Sequence, residues 1–400
     1  MRILVCVVFS ITASLSTVPR SLLARAQGPR VVSPEVSAER RVTFRILAPN
    51  AKAIRLAAAT DLPEVGQTSW LTKGESGVWE TTIGPLESGA YRYRFFVDGV
   101  STLDPRNSSV AEGFNLVWSV VYVPGSELWD TRDVPHGAVA KVTYKSSALG
   151  YFRRMHVYTP PGYDRGRDRY PVLYLLHGGT ESDQMWSSVG RAGFILDNLI
   201  AAKKAKPMIV VMPMGHTEGD ILNTSAGPTR SGMDRFVADF HADLMPYIQT
   251  QYRVFTDRAN TAIAGLSFGG THTLNVAIPK LEQFGSISVF SFGLFGAFRD
   301  VRGGADAAAA SGSHAADDRP RLAREWEELH RKQLTNPALK KGLRISFVVG
   351  KEDEFLPQAQ ATADLLRKHG FAPVFTETAG GHYWTNWRRY LADLVPELFR

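Results

Sequence analysis

Gly265-Leu266-Ser267-Phe268-Gly269-Gly270 comes directly after the apolar run Thr261-Ala262-Ile263-Ala264. A serine at a tight turn from strand into helix lifts its hydroxyl above the sheet edge, and the glycines admit a turn in which a Cβ would collide. The helix that follows aims its first N–H groups and the positive end of its dipole at that point. A serine hydroxyl attacks a carbonyl only when a base takes its proton. The candidate base is His382, in Gly380-Gly381-His382-Tyr383-Trp384, after the short strand pattern of residues 374–378 and before a final helix with Trp387, Leu391, Leu394 and Leu398 on one face. His216 and His241 precede Ser267, and His272 lies in the helix just after it, so they are less well placed. The base in turn needs an acid that orients its ring. Gly350-Lys351-Glu352-Asp353-Glu354-Phe355 supplies three after the apolar run 345–349; Asp353 is the first choice, with Glu352 and Glu354 as alternatives. The oxyanion formed on attack needs N–H donors placed in advance. One is the backbone N–H of Phe268, and the other comes from Leu175-Leu176-His177-Gly178-Gly179-Thr180, with Gly179 ahead of Thr180. The chemistry these residues describe is acyl transfer through a covalent serine intermediate.

Side chains near this set frame the expected pocket. Trp186, Phe268, Phe355, Tyr383 and Trp384 are candidate aromatic walls, which suit a cinnamoyl-type acyl group. Asn223, with Thr224 and Ser225 in the polar stretch 216–231, is a candidate for the rim. No His-Glu-x-x-His, phosphate-binding loop or Gly-x-Gly-x-x-Gly occurs, and serine acyl transfer requires neither metal nor cofactor, so none is expected.

The elements that carry these residues change character along the chain. From about 30 to 125, short period-2 runs alternate with turn residues. Val42, Phe44 and Ile46 interleave with Thr43, Arg45 and Leu47; Tyr91, Tyr93 and Phe95 interleave with Arg92 and Arg94 before Asp98-Gly99. This pattern predicts an all-β sandwich. From about 140 the runs 170–176, 208–212, 261–264, 286–290 and 345–349 are apolar throughout, as in strands covered on both faces, and helical stretches such as 194–202 and 233–251 separate them. Strand–helix alternation of this kind predicts an α/β domain with a parallel sheet. Residues 126–140, with Pro135 and Gly137, read as the linker, the sandwich as 27–125 and the α/β domain as 141–400. Residues 302–318, rich in Ala, Gly, Asp and Ser, read as a surface loop, and Leu322, Trp326 and Leu329 follow at helical spacing.

The N-terminus has the form of a secretory signal. Met1-Arg2 is a basic start, residues 3–9 are apolar, and Ala24-Arg25-Ala26 places small residues where a signal peptidase reads, so cleavage is expected before Gln27 and the protein is expected to be secreted or periplasmic. The single cysteine, Cys6, lies inside this segment, which leaves no disulfide, thiol nucleophile or Cys-ligated zinc in the remainder. The formal charge of +7 falls to +4 once Arg2, Arg20 and Arg25 are removed. That mild excess, without long basic runs, does not imply nucleic-acid binding. No apolar run reaches the 18 residues of a membrane-spanning helix.

Several stretches together resemble the esterase-D-like α/β-hydrolases, and within them carbohydrate esterase family 1, which includes feruloyl and acetylxylan esterases. They are Arg154-Met155-His156-Val157-Tyr158-Thr159-Pro160-Pro161-Gly162-Tyr163, residues 170–179, 183–186, 207–213, 265–270 and 380–388, in order over most of 137–400. The order Ser267, Asp353, His382 is that of the α/β-hydrolases and not of chymotrypsin or subtilisin. Tyr91-Arg92-Tyr93-Arg94-Phe95-Phe96-Val97-Asp98-Gly99 and Leu103-Asp104-Pro105-Arg106-Asn107 resemble the immunoglobulin-like early-set sandwich of carbohydrate-binding module family 48. The resemblance implies a serine esterase releasing feruloyl or acetyl groups from plant cell-wall polysaccharide such as xylan. Its relatives also include siderophore (enterochelin-type) esterases and acyltransferases, which stay open as alternatives, as does a non-catalytic glycan-binding protein. Trp70, Trp79, Trp118 and Trp129 are assigned to core or interdomain packing rather than to a sugar platform.

Overall fold

Val42, Phe44 and Ile46 are buried while Thr43, Arg45 and Leu47 on the same strand are not, so one face of Val42–Leu47 turns to a core. That alternation recurs along the N-terminal strands and closes them into two antiparallel sheets. The computed structural model describes residues 30–59, 61–62, 69–217, 230–294 and 319–400. In one sheet the order is Glu35–Val36, Val42–Leu47, Val78–Ile83, Thr72–Lys73; in the other it is Ser69–Trp70, Ile54–Ala58, Gly89–Val97, Val117–Val123, Val110–Glu112, with Val100–Thr102 paired to Gly89–Val97. Phe44 packs on Tyr93 between them at 4.6 Å. This is the all-β sandwich that the pattern predicts, of the early-set type that the resemblance implies.

The second part is an eight-stranded sheet covered by helices. Its order is Ala138–Lys145, Phe152–Thr159, Ile209–Pro213, Val172–Leu176, Thr261–Leu266, Ser286–Phe290, Arg344–Gly350, Val374–Thr378. The first two strands are antiparallel and the other six run parallel. Val172–Leu176 and Thr261–Leu266 are buried at every position, which is why their sequences carry no alternation. The sheet starts at Ala138, inside the stretch that reads as linker. That strand is an exposed edge and carries no apolar signature. One core lies on each face of the sheet. The helix expected over 233–251 runs from Arg230 to Gln251 and contains a π-helical turn, Phe240–Leu244. Just before this turn, buried Asp239 accepts from Tyr144 Oη at 2.6 Å and from Arg153 Nε at 3.2 Å. Among the described residues no helix is long and apolar enough to cross a membrane. The expected signal segment and the stretch 302–318 lie outside the described residues.

The sandwich is fastened to the α/β part by buried polar contacts. Arg388, on the final helix Trp384–Leu394, donates through Nη1 to Ala90 O and Val189 O, both at 3.1 Å. A Cβ at Gly89 would fall 2.2 Å from Arg388 Nη2, so a larger residue there would force the guanidinium to shift. Arg191 lies over Tyr122 at 3.8 Å and over Phe194 at 4.0 Å, bridging the two parts.

Candidate active site

The strand Thr261–Leu266 ends at Ser267, and the helix Phe268–Ala277 starts on the next residue. So abrupt a change of direction forces Ser267 to φ 52° and ψ −128°, a region that costs a non-glycine residue about 1–3 kcal/mol. The surroundings fix it: Ser267 N donates to Phe290 O at 2.8 Å, and Gly270 N donates to Ser267 O at 2.8 Å. The glycines here serve close approach. A Cβ on Gly265 would come 2.2 Å from Gly269 O, and one on Gly269 would come 2.5 Å from His177 O and 2.6 Å from Leu176 O.

His382 Nε2 lies 2.9 Å from Ser267 Oγ. On its other side, His382 Nδ1 lies 3.1 Å from both carboxylate oxygens of Asp353. The Asp353 side chain is wholly buried and that of His382 is 22% exposed, so the acid is dry and the ring faces outward. Phe355 N also donates to Asp353 Oδ1, at 3.0 Å. Glu352 and Glu354 are exposed, so of the three acids on this loop only Asp353 meets the ring. Two loops must touch to bring Asp353 and His382 together. Gly350 and Gly380 allow it, since a Cβ on Gly350 would sit 1.8 Å from Gly380 O, and Gly380 itself has φ +86°. The imidazole is held between Phe355 and the edge of Trp387, each 4.8 Å away, and Trp387 Nε1 is anchored on Ser291 Oγ at 2.9 Å.

Gly178 and Gly179 lie against the serine turn. A Cβ on Gly178 would be 3.4 Å from Ser267 Cβ, and one on Gly179 would be 3.5 Å from Phe268 Cβ. Phe268 is the first residue of its helix, so its N–H has no carbonyl within the helix to bond. Beneath this turn lies a cluster of buried imidazoles, His177, His216 and His272. His177 and His216 are 5.2 Å apart, and Phe268 packs on His272 at 4.3 Å. Burial pushes His177 down to about 4 and holds His216 and His272 well below the usual imidazole range. His177 accepts from Gly215 N at Nε2, 2.9 Å, which fixes the neutral tautomer with Nδ1 donating to Gly178 O at 2.8 Å. His241 lies elsewhere, bonded through Nε2 to Val276 O.

The expected pocket residues separate into two groups. Phe355 is half-buried and touches the His382 ring, and Tyr383 is half-buried with its ring over Gly381. Trp186 and Trp384 are not pocket walls. They are 1% and 0% exposed and pack on each other at 5.0 Å, with their indole N–H groups spent on Leu176 O and Glu181 Oε1. Asn223, Thr224 and Ser225 lie outside the described residues. Two neighbours escaped the sequence reading. Phe114, from a sandwich loop, packs on His216 at 4.1 Å, and Glu181 is buried under Gly178. Glu181 adjoins the glycine loop, a signal that could have drawn notice, whereas nothing in the sequence around Phe114 links it to a distant domain. Of the four tryptophans assigned to packing, Trp79 and Trp129 are buried and Trp118 is half-buried beneath Arg94, but Trp70 is 65% exposed. Among the described residues no group of three or more His, Cys, Asp or Glu is arranged to hold a metal ion.

Two outcomes follow from this geometry. Gly269→Ala drives a Cβ into two backbone carbonyls, so it is expected to cost at least about 1–3 kcal/mol in chemical denaturation; an unchanged midpoint would contradict the packing. The buried histidines bind protons less readily folded than unfolded, so the unfolded chain takes up more protons as pH falls through about 6.5 and stability drops. For His177 alone the loss reaches about 3 kcal/mol by pH 4. Urea unfolding should give lower stability at pH 5 than at pH 7, with a shallower slope in His272→Phe; equal slopes would contradict the burial argument.

The putative esterase family model matches residues 146–398, and that of carbohydrate-binding module 48, the isoamylase N-terminal domain, matches residues 31–110. An endo-1,4-beta-xylanase/feruloyl esterase of Xylanibacter ruminicola is 34% identical over 271 residues, covering 66% of this chain and 36% of that protein. Esterase Rv1288 of Mycobacterium tuberculosis is 33% identical over 152 residues, covering 37% of this chain and 31% of that protein. The chain thus spans about a third of the length of these curated relatives. Among solved structures, a ferulic acid esterase superposes with a TM-score of 0.53 at 25% identity, over 66% of this chain and 97% of its own. The enterobactin esterase FES of Shigella flexneri superposes with a TM-score of 0.61 at 19% identity, over 90% of this chain and 94% of its own, and shares the fold. The chain belongs to the putative esterase family, its esterase part joined to a sandwich of the carbohydrate-binding module 48 type.

Proposed function

We propose that this esterase releases feruloyl or acetyl groups from plant cell-wall polysaccharide such as xylan, by a Ser-His-Asp mechanism. The observation that carries the mechanism is the continuous chain from Asp353 through His382 to Ser267, with contacts of 3.1 and 2.9 Å. Ser267 Oγ attacks the ester carbonyl while His382 Nε2 takes its proton. Asp353 holds the ring in the tautomer whose Nε2 is free to accept, and stabilises the imidazolium that forms. The backbone N–H groups of Phe268 and Gly179 hold the oxyanion. Collapse of the tetrahedral adduct breaks the ester C–O bond, His382 returns its proton to the departing sugar hydroxyl, and the acyl group remains on Ser267. Water, deprotonated by His382, then attacks the acyl carbonyl; the acid leaves and Ser267 regains its proton.

The relative named endo-1,4-beta-xylanase/feruloyl esterase supports the polysaccharide reading. So does the outer face of the sandwich. Trp70, Arg55 and Phe96 stand opposite one another across three strands, with Arg55 over Phe96 at 3.8 Å and Arg94 over Trp118 at 4.6 Å. Arg55 and Arg94 cover Phe96 and Trp118, while Trp70 is 65% exposed and its apolar ring can stack on a sugar. The segment ending in Ala24-Arg25-Ala26 supports export to where such polysaccharide is found.

Hydrolysis of methyl ferulate, p-nitrophenyl acetate and feruloylated arabinoxylan by wild type and Ser267→Ala tests the reading. Wild type is expected to cleave them, with Ser267→Ala slower by roughly 10³-fold or more. Equal rates in the two proteins would overturn the mechanism. Inactivity on all three, with turnover of a catechoyl-serine ester, would move the substrate to the siderophore class.

A further inference from the structure

Glu181 is a buried carboxylate with no part in the acyl-transfer steps. Its Oε2 accepts from Gly178 N at 3.0 Å, and its Oε1 accepts from Trp384 Nε1 at 2.7 Å. Oε1 also faces Arg92 Nη1 of the sandwich at 3.5 Å. Arg92 is itself fixed by a two-pronged contact to Asp61, Nε to Oδ2 at 2.6 Å and Nη2 to Oδ1 at 2.8 Å. Glu181, Trp384, Arg92 and Asp61 are all removed from water. One carboxylate thus touches three things: the peptide before Gly179, the residue two after His382, and the sandwich. The sandwich grips the same loop elsewhere. Phe114 N donates to Thr180 O at 3.0 Å, Ser182 Oγ donates to Glu112 O at 2.7 Å, and Glu112 N donates to Gln184 Oε1 at 2.7 Å.

A buried ion pair adds little net stability, because desolvation offsets most of the attraction. What it does supply is a fixed geometry, and the peptide fixed here is His177–Gly178, directly before the peptide that carries the Gly179 N–H. Donors to an oxyanion act only when they are aimed beforehand at where the charge develops. We propose that Glu181, oriented by Arg92, is a positioning residue for the oxyanion-binding loop, and that the sandwich is thereby a working part of the ester site even for substrates without sugar. This rests on the Ser267 mechanism above.

The test uses the full chain and p-nitrophenyl acetate, which carries no glycan. Arg92→Met, Arg92→Lys and Glu181→Gln are compared with wild type for kcat, KM, melting temperature and affinity for phenylboronic acid, which forms a tetrahedral adduct on a nucleophilic serine. Arg92→Met and Glu181→Gln are expected to lower kcat roughly 10- to 100-fold with KM within about threefold, as for a misplaced reacting geometry. Boronate affinity should fall in parallel, and Arg92→Lys should recover part of both. Wild-type kcat and boronate affinity in folded Arg92→Met and Glu181→Gln would overturn the inference, as would a kcat loss with boronate affinity unchanged. If Arg92→Met and Glu181→Gln do not fold, Trp384→Phe, which removes one donor to Glu181, is read by the same criteria. Ser267→Ala separates the two claims. Full activity in that variant sinks the mechanism; an inactive Ser267→Ala beside wild-type behaviour in the Arg92 and Glu181 variants sinks the positioning role alone.

Discussion

A 2.9 Å hydrogen bond joins Ser267 Oγ to His382 Nε2 across 115 residues of chain. Its length fixes where four strands must end. Thr261–Leu266, Ser286–Phe290, Arg344–Gly350 and Val374–Thr378 lie side by side and run parallel, so their following loops emerge along one edge of the sheet. In open parallel sheets that edge is where chemistry collects. The strand register alone does not bring the groups into contact. Gly350 must approach Gly380 O for the acid to reach the base, and Gly269 must press on the carbonyls of Leu176 and His177 for the serine turn to reach the Gly178-Gly179 loop. Both approaches are closed to any residue with a Cβ.

Electrostatics around this bond are arranged by burial. Asp353 is dry, whereas the ring it holds is partly open to solvent, so the charge that stabilises an imidazolium sits on the inner side. The three imidazoles under the serine turn are kept neutral by the same dry surroundings. In the proposed mechanism, a positive cluster there would compete with His382 for the role of cation beside Ser267. Polar contacts between sandwich and sheet reach this region as well, on Glu181, Thr180 and Ser182, so the joint between the two parts adjoins the candidate site.

Much of this could be read from the sequence, for definable reasons. Ser267 and Asp353 each follow an apolar run that reads as a buried parallel strand, and His382 follows the short, largely exposed edge strand Val374–Thr378; a residue just past such a strand lies at the sheet's loop edge. The three therefore meet because the topology is regular. The direction of a side chain is another matter. Trp186 and Trp384 sit close in sequence to the glycine loop and to His382, yet their rings point into the core, because sequence proximity fixes the position of a Cα and not the face it turns to. Trp70 and Trp79 differ in the same way: both are strand residues, one exposed and one buried. The edge strand Ala138–Lys145 was illegible because an exposed edge has no apolar face to show. Phe114 was illegible as a site neighbour because His216, its partner, lies across the domain boundary, and the place of Glu181 beside the glycine loop gave no hint of Arg92, 89 residues away in the sandwich.

The central claim is that Ser267 carries the acyl group. Intact-protein and peptide mass spectrometry after rapid acid quenching of the enzyme with p-nitrophenyl acetate reads this directly. The account predicts a mass gain of one acetyl group that maps to the peptide containing Ser267 and is absent in Ser267→Ala. An acetyl group mapped to another residue, or active hydrolysis with no Ser267 adduct even when quenched before steady state, would contradict it.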